Sequence, residues 1–273
     1  MSAALAQEPG GHLPAISIAG VSMVFDSPRG PVTALKGIDL AIPKNRFVSI
    51  VGRSGCGKST LLRLICGLVR PTVGEVTVDG MSPDLYQRDR RFGFVFQEAT
   101  LLPWRTALEN VALPMKIQKV VQPARREERA RDLLKLVRLQ GFEGHYPSQL
   151  SGGMRQRAGI ARALANDPEV LLMDEPFGAV DHLTRIALQE DLLRLWERER
   201  RTIVFVTHDV GEAVFLADRV VLMSPRPGRI HRIFDVAVPR PRVRGQKALI
   251  EVEAAVYEAI HGIAPPDACH VQH

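Results

Sequence analysis

The 273-residue chain is long enough for one large domain or two small ones. Its 45% hydrophobic and 24% charged residues are typical of a folded protein with a sizeable core, which excludes disorder over most of the length. The formal net charge of +6 is spread out, and the densest basic stretch, residues 125–131, alternates in sign. This pattern favours a solvated helix face over a surface for nucleic acid, and we expect no nucleic-acid partner.

The three cysteines, Cys56, Cys66 and Cys269, match no zinc-binding spacing and indicate a reducing, intracellular compartment. The first residues lack the basic region and apolar core of a signal peptide. No apolar run reaches the length of about 18 residues that is needed to span a bilayer. If the protein acts at a membrane, we therefore expect it to do so from outside the lipid. The tail 269–273 could bind a metal through its Cys and His residues, but a disordered end is the simpler interpretation.

Residues 1–14, rich in Gly, Pro and Ala, are expected to be flexible. Runs that mix apolar and polar residues predict strands of an antiparallel layer, and short, almost wholly apolar runs predict strands buried on both faces of a parallel sheet. The first kind comprises residues 16–25, 32–40 and 75–78, and the second 47–51, 170–173, 203–206 and 220–223.

Helical patterns separate these strands, as at residues 59–69 and at Leu188, Leu192, Leu195 and Trp196. Residues 101–167 are predicted to be nearly all helical, with helices at 106–115, 124–139 and 151–165. The sequence therefore predicts an α/β domain over residues 15–240, with a mostly parallel sheet, an antiparallel β subdomain and an all-α subdomain at about 101–167. Residues 241–273 are predicted to form a short C-terminal helix, at 246–260, and a tail.

Residues 52–59 match the phosphate-loop pattern G-x-x-x-x-G-K-[ST], between an apolar strand that ends at Val51 and a predicted helix. Its glycines let backbone N–H groups turn inward around an anion, and the helix N-terminus adds partial positive charge. Lys58 is expected to reach the β- and γ-phosphates of a nucleotide, and Ser59 to hold Mg²⁺. The pattern thus predicts a P-loop NTPase core. Cys56 could be reactive near the helix dipole, but a small loop residue is the favoured interpretation.

Two carboxylates, Asp174 and Glu175, end the apolar run at residues 170–173. Asp174 is placed to hold Mg²⁺ through water, and Glu175 to polarise an attacking water, which are two tasks that phosphoryl transfer needs. Such a pair alone is commonly just a helix start. After a complete phosphate loop, the catalytic interpretation is favoured.

Residues 150–156, Leu-Ser-Gly-Gly-Met-Arg-Gln, resemble the LSGGQ signature of ABC ATPases, and they precede the acidic strand as in that family. Gln97 is similar to the Q-loop glutamine, Asp181 to the D-loop aspartate and His208 to the switch histidine. Phe25 stands where the family carries an aromatic residue that stacks on adenine. All these motifs occur in the family's order, between residue 16 and about residue 239.

The resemblance implies an ATP-hydrolysing subunit of an ABC transporter with ATP and Mg²⁺ as cofactors. It implies catalytic roles for Glu175, His208 and Gln97, and metal contacts from Ser59, Gln97 and Asp174. The residues expected to contact ATP are Phe25, Gly52, Ser54, Gly55, Cys56, Gly57, Lys58, Ser59, Thr60, Ser151, Gly152, Gly153 and Asp181.

The implied partners are a second copy of the chain, integral membrane permease subunits and, indirectly, a periplasmic or extracellular solute-binding protein. The implied location is the cytoplasmic face of the bacterial inner membrane. Within the family, each ATP lies between one subunit's phosphate loop and the other's signature. The residues agree with this arrangement, because Ser151 is a good N-cap and two glycines follow it, which predicts a second anion-binding surface.

Three residues depart from the family pattern: Met154 in the signature, Val180 before the D-loop aspartate, and Phe25 in place of Tyr. None of them puts the family in doubt, since Gln156 follows Met154 by two residues and Phe25 keeps its ring. Four further stretches resemble the importers of nitrate, aliphatic sulfonates and taurine; they are residues 96–98, 101–104, 181–185 and 224–230.

Three other classes are open to comparison. ABC ATPases of DNA repair carry long coiled coils between the phosphate loop and the signature, whereas only short helices are predicted here. Translation-type ABC proteins carry two cassettes, whereas one phosphate loop and one signature are present. P-loop kinases and GTPases lack the signature.

Leu101, Leu102, Pro103 and Trp104 form an apolar cluster in a stretch expected to be an exposed loop near Gln97. Exposed apolar clusters with an aromatic residue usually mark a binding surface. The resemblance implies that this region receives a short helix of the permease. The alternative is that Trp104 folds back to cover the helical layer.

Overall fold

The computed structural model describes residues 13–28, 30–88, 92–118, 121–178 and 180–263. Almost all of the predicted flexible N-terminus, and the whole tail 269–273, lie outside the described residues. The chain divides into two compact units, one comprising Met1–Asp84 and Val206–His273 and the other Leu85–Phe205.

An antiparallel three-stranded sheet belongs to the first unit, with the first strand of the chain at its centre. Its strands are β1 (Ile16–Phe25), β2 (Val32–Ile42) and β4 (Val73–Val78). Alternate residues of β1, such as Ile16 and Ile18, are buried, because successive side chains of a strand point to opposite faces. The antiparallel layer predicted from the sequence is confirmed.

A mixed arrangement of strands forms the second layer of this unit. Strand β3 (Phe47–Val51), buried along its whole length, pairs in parallel with β8 (Arg219–Met223), and β8 pairs antiparallel with β9 (Ile230–Asp235). Strand β9 is absent from the sequence prediction, because most of its side chains are partly or fully exposed and its basic residues obscure the period of two.

Three helices complete the described part of the first unit. Helix α1 (Lys58–Ile65) follows β3, and α7 (Val210–Leu216) packs against β3 and against α8 (Lys247–His261). Helix α1 is shorter than the predicted 59–69, because Gly67 has a left-handed φ of 73° that ends the helical path.

The second unit contains β5 (Phe92–Val95) and β6 (Val170–Asp174), which pair in parallel with Phe92 opposite Val170. Strand β7 (Thr202–Thr207) crosses the boundary of the units in sequence, as α2 (Pro83–Arg88) does. The remaining elements are α3 (Ala107–Gln118), α4 (Pro123–Leu136), a 3-10 turn (Pro147–Gln149), α5 (Gly152–Ala163) and α6 (His182–Glu199).

The described residues between 101 and 167 contain helices and turns but no strand, as the sequence predicts. Helices α3, α4 and α5 pack on one another, and α5 also packs on β5 and α6. Trp196 of α6 is fully buried, and its ring nitrogen donates to the carbonyl oxygen of Arg201 (2.8 Å). A buried indole of this kind contributes about 3 kcal/mol to the free energy of unfolding. Within the described residues, no helix combines the length and apolarity that crossing a membrane requires.

Candidate nucleotide-binding site

The predicted phosphate loop joins β3 to α1 in the first unit. Gly55 and Gly57 have left-handed φ angles of 78° and 104°, which residues with a side chain rarely adopt. Gly57 is the N-cap of α1, and its carbonyl oxygen accepts the N–H of Leu61 (2.9 Å). The first turn of α1 contains no acidic residue, so its N–H groups present an electropositive site suited to a phosphate.

Lys58 holds its ammonium group inside this loop. The side chain is only 5% exposed, and Nζ donates to the carbonyl oxygens of Gly52 (2.8 Å) and Arg53 (3.4 Å). These two bonds hold the ammonium group against the backbone of the loop. Ser59 and Thr60 follow in the first turn and are half-buried. Cys56 is buried, which favours its interpretation as a small loop residue.

Two further residues singled out from the sequence lie in the same unit. Phe25 ends β1 opposite Val32 of β2 and is 39% exposed, as a ring offered for stacking must be. His208 is exposed and follows β7 directly. The turn after it is rigid, because the Oγ of Thr207 accepts the N–H of Asp209 (3.0 Å) and donates to the carboxylate of Glu212 (2.7 Å).

Gln97, Asp174 and Glu175 lie in the second unit, at the carboxyl ends of neighbouring strands. Because β5 and β6 run parallel, with Val95 opposite Met173, the residues that follow them meet at one edge of the sheet. A Cβ atom placed on Gly178 would lie 3.5 Å from both Nε2 of Gln97 and the carbonyl oxygen of Glu175. The structure thus brings the glutamine beside the turn that starts at Glu175.

The loop after Gln97 is held by α5, a connection that the sequence does not reveal. Nε2 of Gln156 donates to the carbonyl oxygen of Phe96 (3.1 Å). Arg162 donates to the carbonyl oxygens of Ala99 and Thr100 (both 2.8 Å), and burial lowers the pKa of its guanidinium. In the sequence, Gln156 and Arg162 are only long polar side chains among the small and apolar residues of this helix, and nothing there indicates their partners.

The signature residues and Asp181 form a second cluster within this unit. Ser151 caps α5 by accepting the N–H of Met154 (3.3 Å), as its residue type predicts. Gly153 packs so closely on α6 that an added Cβ atom would lie 2.5 Å from Cγ2 of Thr184. Asp181 caps α6 through the N–H of Thr184 (3.0 Å), and this bond holds the pKa of the carboxyl below its usual value.

The predicted site residues therefore fall into two groups, one in each unit. The first contains Phe25, the phosphate loop and His208, and the second contains Gln97, the signature, the acidic strand end and Asp181. Among the described residues, no group of three or more His, Cys, Asp and Glu residues could hold a metal ion. Ser59 in the first unit, and Gln97 and Asp174 in the second, carry hydroxyl, amide and carboxylate oxygens, which are the type of ligand atom that Mg²⁺ prefers.

The chain has a strand, a glycine-rich phosphate loop with a buried lysine, and a helix in succession, and another of its strands ends in two carboxylates. These features define a P-loop nucleotide-binding protein. The comparison with protein families narrows this class. Residues 35–178 match the model described as ABC transporter, so the chain belongs to the ABC transporter family of ATP-binding proteins and is a transport ATPase.

Individual relatives agree with this family. The chain is 48% identical over 236 residues to an uncharacterised ABC transporter ATP-binding protein of Methanocaldococcus jannaschii, covering 86% of this chain and 87% of the relative. It is 43% identical to an aliphatic sulfonates import ATP-binding protein of Bacillus cereus (89% and 94% covered). It is 50% identical to a taurine import ATP-binding protein of Burkholderia thailandensis (77% and 80% covered).

A solved structure shares the fold. It is the dimeric, post-hydrolysis state of an ATP-binding cassette bound to ADP and Pi, with a TM-score of 0.73 and 37% sequence identity. The match covers 82% of this chain and 100% of the solved one. The prediction of a P-loop NTPase cassette of the ABC family is confirmed.

Proposed function

We propose that this chain powers the import of a small sulfonate, of which an aliphatic sulfonate and taurine are the best candidates. The observation that carries the proposal is the 43% and 50% identity, over most of the chain, to import ATP-binding proteins for these two solutes. Nitrate stays among the solutes to be tested, because stretches such as residues 224–230 resemble nitrate importers as well.

Within the site, Lys58 and the N–H groups of the phosphate loop bind the β- and γ-phosphates of ATP, and Phe25 stacks on the adenine. Ser59, Gln97 and Asp174 would hold Mg²⁺, which would neutralise charge on the phosphates. Glu175 accepts a proton from the attacking water, and His208 orients the γ-phosphate. The left-handed turns at Gly55 and Gly57, the buried Lys58 amine and the common sheet edge of Gln97 and Glu175 support these roles.

Two copies of the chain form the working ATPase, with the Ser151 turn of one copy completing the phosphate site of the other. The exposed hydroxyl of Ser151 and the exposed Gly152 at the N-terminus of α5 support this pairing. The related cassette was also solved as a dimer.

The pair binds membrane-embedded permease subunits from the cytoplasmic side, and an external binding protein delivers the solute to them. Trp104, 69% exposed, supports a docking surface for the permease. The alternative that Trp104 folds back onto the helices is not favoured by this exposure. The relatives' names as import subunits support the same location at the membrane.

Uptake by cells tests the solute. The gene is deleted in its source cell and restored as the wild-type chain or as Lys58→Ala, and uptake of labelled taurine, an alkanesulfonate and nitrate is measured. We expect sulfonate uptake to fall on deletion and to return with the wild-type chain alone. Unchanged uptake of both sulfonates, together with loss of nitrate uptake, would reassign the solute.

A further inference from the structure

The segment between β8 and β9, residues 224–229, forms a closed loop, which we call the 224–229 loop. The N–H of Ser224 donates to the carbonyl oxygen of Arg229 (3.0 Å), and the N–H of Arg229 donates to Oγ of Ser224 (3.1 Å). Its sequence, Ser-Pro-Arg-Pro-Gly-Arg, has no part in the function described so far. Because both ends are tied, the loop can act as a rigid body.

Strand β2 forms two backbone hydrogen bonds with one residue of this loop, Gly228. The N–H of Gly228 donates to the carbonyl oxygen of Ala34, and the N–H of Lys36 donates to the carbonyl oxygen of Gly228 (both 2.9 Å). This is a short parallel bridge between Leu35 and Gly228, outside the named strands. It fixes the 224–229 loop to the antiparallel sheet, where β1, the neighbour of β2, ends at Phe25.

The phosphate loop touches the same residue from another side. A Cβ atom placed on Gly228 would lie 2.1 Å from the carbonyl oxygen of Cys56, a distance at which one of the two backbones must move. Gly228 has no left-handed φ, so the requirement for glycine here comes from space and not from backbone conformation.

Leu35 fills the remaining space between the two loops. Its side chain is fully buried, and Cδ2 lies 2.6 Å from a Cβ atom built on Gly57 and 3.1 Å from one built on Gly228. Bare glycines on both sides therefore allow one leucine to support the turn that carries Lys58. Close packing of this kind transmits a displacement, because the interior of a protein has little free volume to absorb it.

We propose that Gly228 is a positioning residue for nucleotide binding. Because it has no side chain, the phosphate loop can lie close enough to β2 for its N–H groups to bind ATP. The inference rests on the proposed phosphate-binding role of residues 52–59. A methyl group at position 228 either pushes the Cys56 carbonyl outward or breaks the two bonds to β2. Either displacement alters the N–H groups at Gly55 and Gly57 that would face the phosphates.

Gly228→Ala tests the proposal, with Gly144→Ala as the control, since a Cβ atom on Gly144 meets nothing within 4 Å. We measure the dissociation constant of a fluorescent ATP analogue, the kcat and KM of hydrolysis, the melting temperature, and hydrogen exchange of the amides in 55–59. Gly228→Ala should weaken nucleotide binding about tenfold or more, because misplacement of a binding group by an ångström has effects of this size. Exchange in 55–59 should rise, and Gly144→Ala should match the wild type.

Ser224→Ala is a second variant, which adds no atoms and removes the hydroxyl that accepts the N–H of Arg229, while the backbone bond between Ser224 and Arg229 stays. We expect about a threefold weaker affinity with a melting temperature close to that of the wild type. This variant keeps the proposal testable if Gly228→Ala does not fold.

Wild-type affinity in a folded Gly228→Ala, or in Ser224→Ala, overturns the positioning role. So does a fall in melting temperature without any loss of affinity in the folded protein. The proposed phosphate-loop role fails separately, since in that case Lys58→Ala would bind the analogue as well as the wild-type chain does.

Discussion

At the scale of single residues, Glu175 combines an unusual backbone with a carboxylate at a strand end. Its φ is 43°, a left-handed value that costs a residue with a side chain about 1–3 kcal/mol. Such strain persists where the surrounding structure fixes it, and here the Glu175 carbonyl oxygen accepts the N–H of Gly178 (3.1 Å). The backbone thereby turns directly after the last residue of β6, Asp174.

Glu175→Gln removes the negative charge of this side chain and keeps its size and shape. We expect ATP hydrolysis to fall about a hundredfold or more, the scale of a positioned general base, while ATP binding persists. The variant should accumulate as an ATP-bound dimer on a sizing column. Turnover at the wild-type rate would assign the base to another residue, and Glu98→Gln, an exposed neighbour of Gln97, is the matched control.

Residue types with strict geometric requirements could be read from the sequence. Gly55 and Gly57 of the phosphate loop and the cap at Ser151 have the conformations that their residue types predict. Gln156, Arg162 and Asn110 could not be identified in this way. Each donates to backbone carbonyl groups of a loop, and the sequence alone does not show which loop lies within reach. Polar residues on a helix are usually solvated, and only the fold reveals which ones are buried.

At the scale of elements, a buried amide organises the loop before α3. Asn110 has no exposed surface; its Oδ1 accepts the N–H of Leu102 (2.7 Å), and its Nδ2 donates to three carbonyl groups. These belong to Leu102, Arg105 and Thr106 (3.0–3.1 Å). The loop that presents Trp104 is thus preorganised, which lowers the entropic cost of binding a partner.

Trp104→Ala should uncouple the ATPase from its permease. Co-purification from detergent extracts should fall about tenfold or more, the range of an exposed aromatic anchor. The isolated chain should hydrolyse ATP within about twofold of the wild-type rate, since it loses no phosphate contact. Ile117→Ala removes a similarly exposed side chain, 66%, from the far end of α3, and should leave co-purification unchanged. Normal co-purification of a folded Trp104→Ala would exclude Trp104 as part of the docking surface.

A buried guanidinium holds the C-terminal end of α7 in the first unit. Arg242 is bonded to backbone carbonyl groups, and burial lowers its pKa to about 10. The acceptors are the carbonyl oxygens of Val214, Phe215, Ala217, Val236 and Val238, at 2.8 to 3.2 Å. The last carbonyl groups of a helix have no partner within it, and this cation supplies donors for those of Val214 and Phe215 in α7.

Arg242→Ala should lower the free energy of unfolding by about 3 kcal/mol, because it leaves several buried carbonyl groups without a donor. Arg244→Ala should lower it by less than about 1 kcal/mol, since Arg244 is exposed and its guanidinium lies over the ring of Phe215. Denaturant unfolding of both variants measures the difference. Equal destabilisation by the two variants would mean that water replaces the guanidinium as the hydrogen-bond donor to these carbonyl groups without a cost in stability.

Strands and helices with strong periodicity were predictable, and those set by tertiary contacts were not. The fully buried β3 and β7 have the expected bounds to within one residue. Helix α7 was missed because its seven residues give less than two complete turns of periodicity. Its stability depends on the Asp209 cap and on the distant Arg242, which no local pattern contains.

At the scale of the whole molecule, the chain carries two helix N-termini suited to phosphate, at α1 in the first unit and at α5 in the second. Both lie at glycine-rich turns, and only the first has a buried lysine amine. In the proposed head-to-tail pair, a single chain contributes one half of each of two sites, so a second copy is needed to complete them. The proposed head-to-tail pair makes this requirement testable with variants that damage one half at a time.

Ser151→Arg and Lys58→Ala are such variants. Ser151→Arg adds bulk and charge at the exposed turn, so it should abolish hydrolysis and ATP-driven dimerisation while the monomer still binds ATP. Lys58→Ala removes the cation of the phosphate loop and should lose both nucleotide affinity and turnover. In a mixture, a dimer with one chain of each kind keeps one undamaged pair of halves, so about a quarter of wild-type activity should return if one site is sufficient and pairing is random. Gly144→Ala mixed with Lys58→Ala controls for dilution, because it supplies an undamaged partner. Full activity of Ser151→Arg on its own would exclude the shared site, since an arginine at that turn could not coexist with a phosphate bound there.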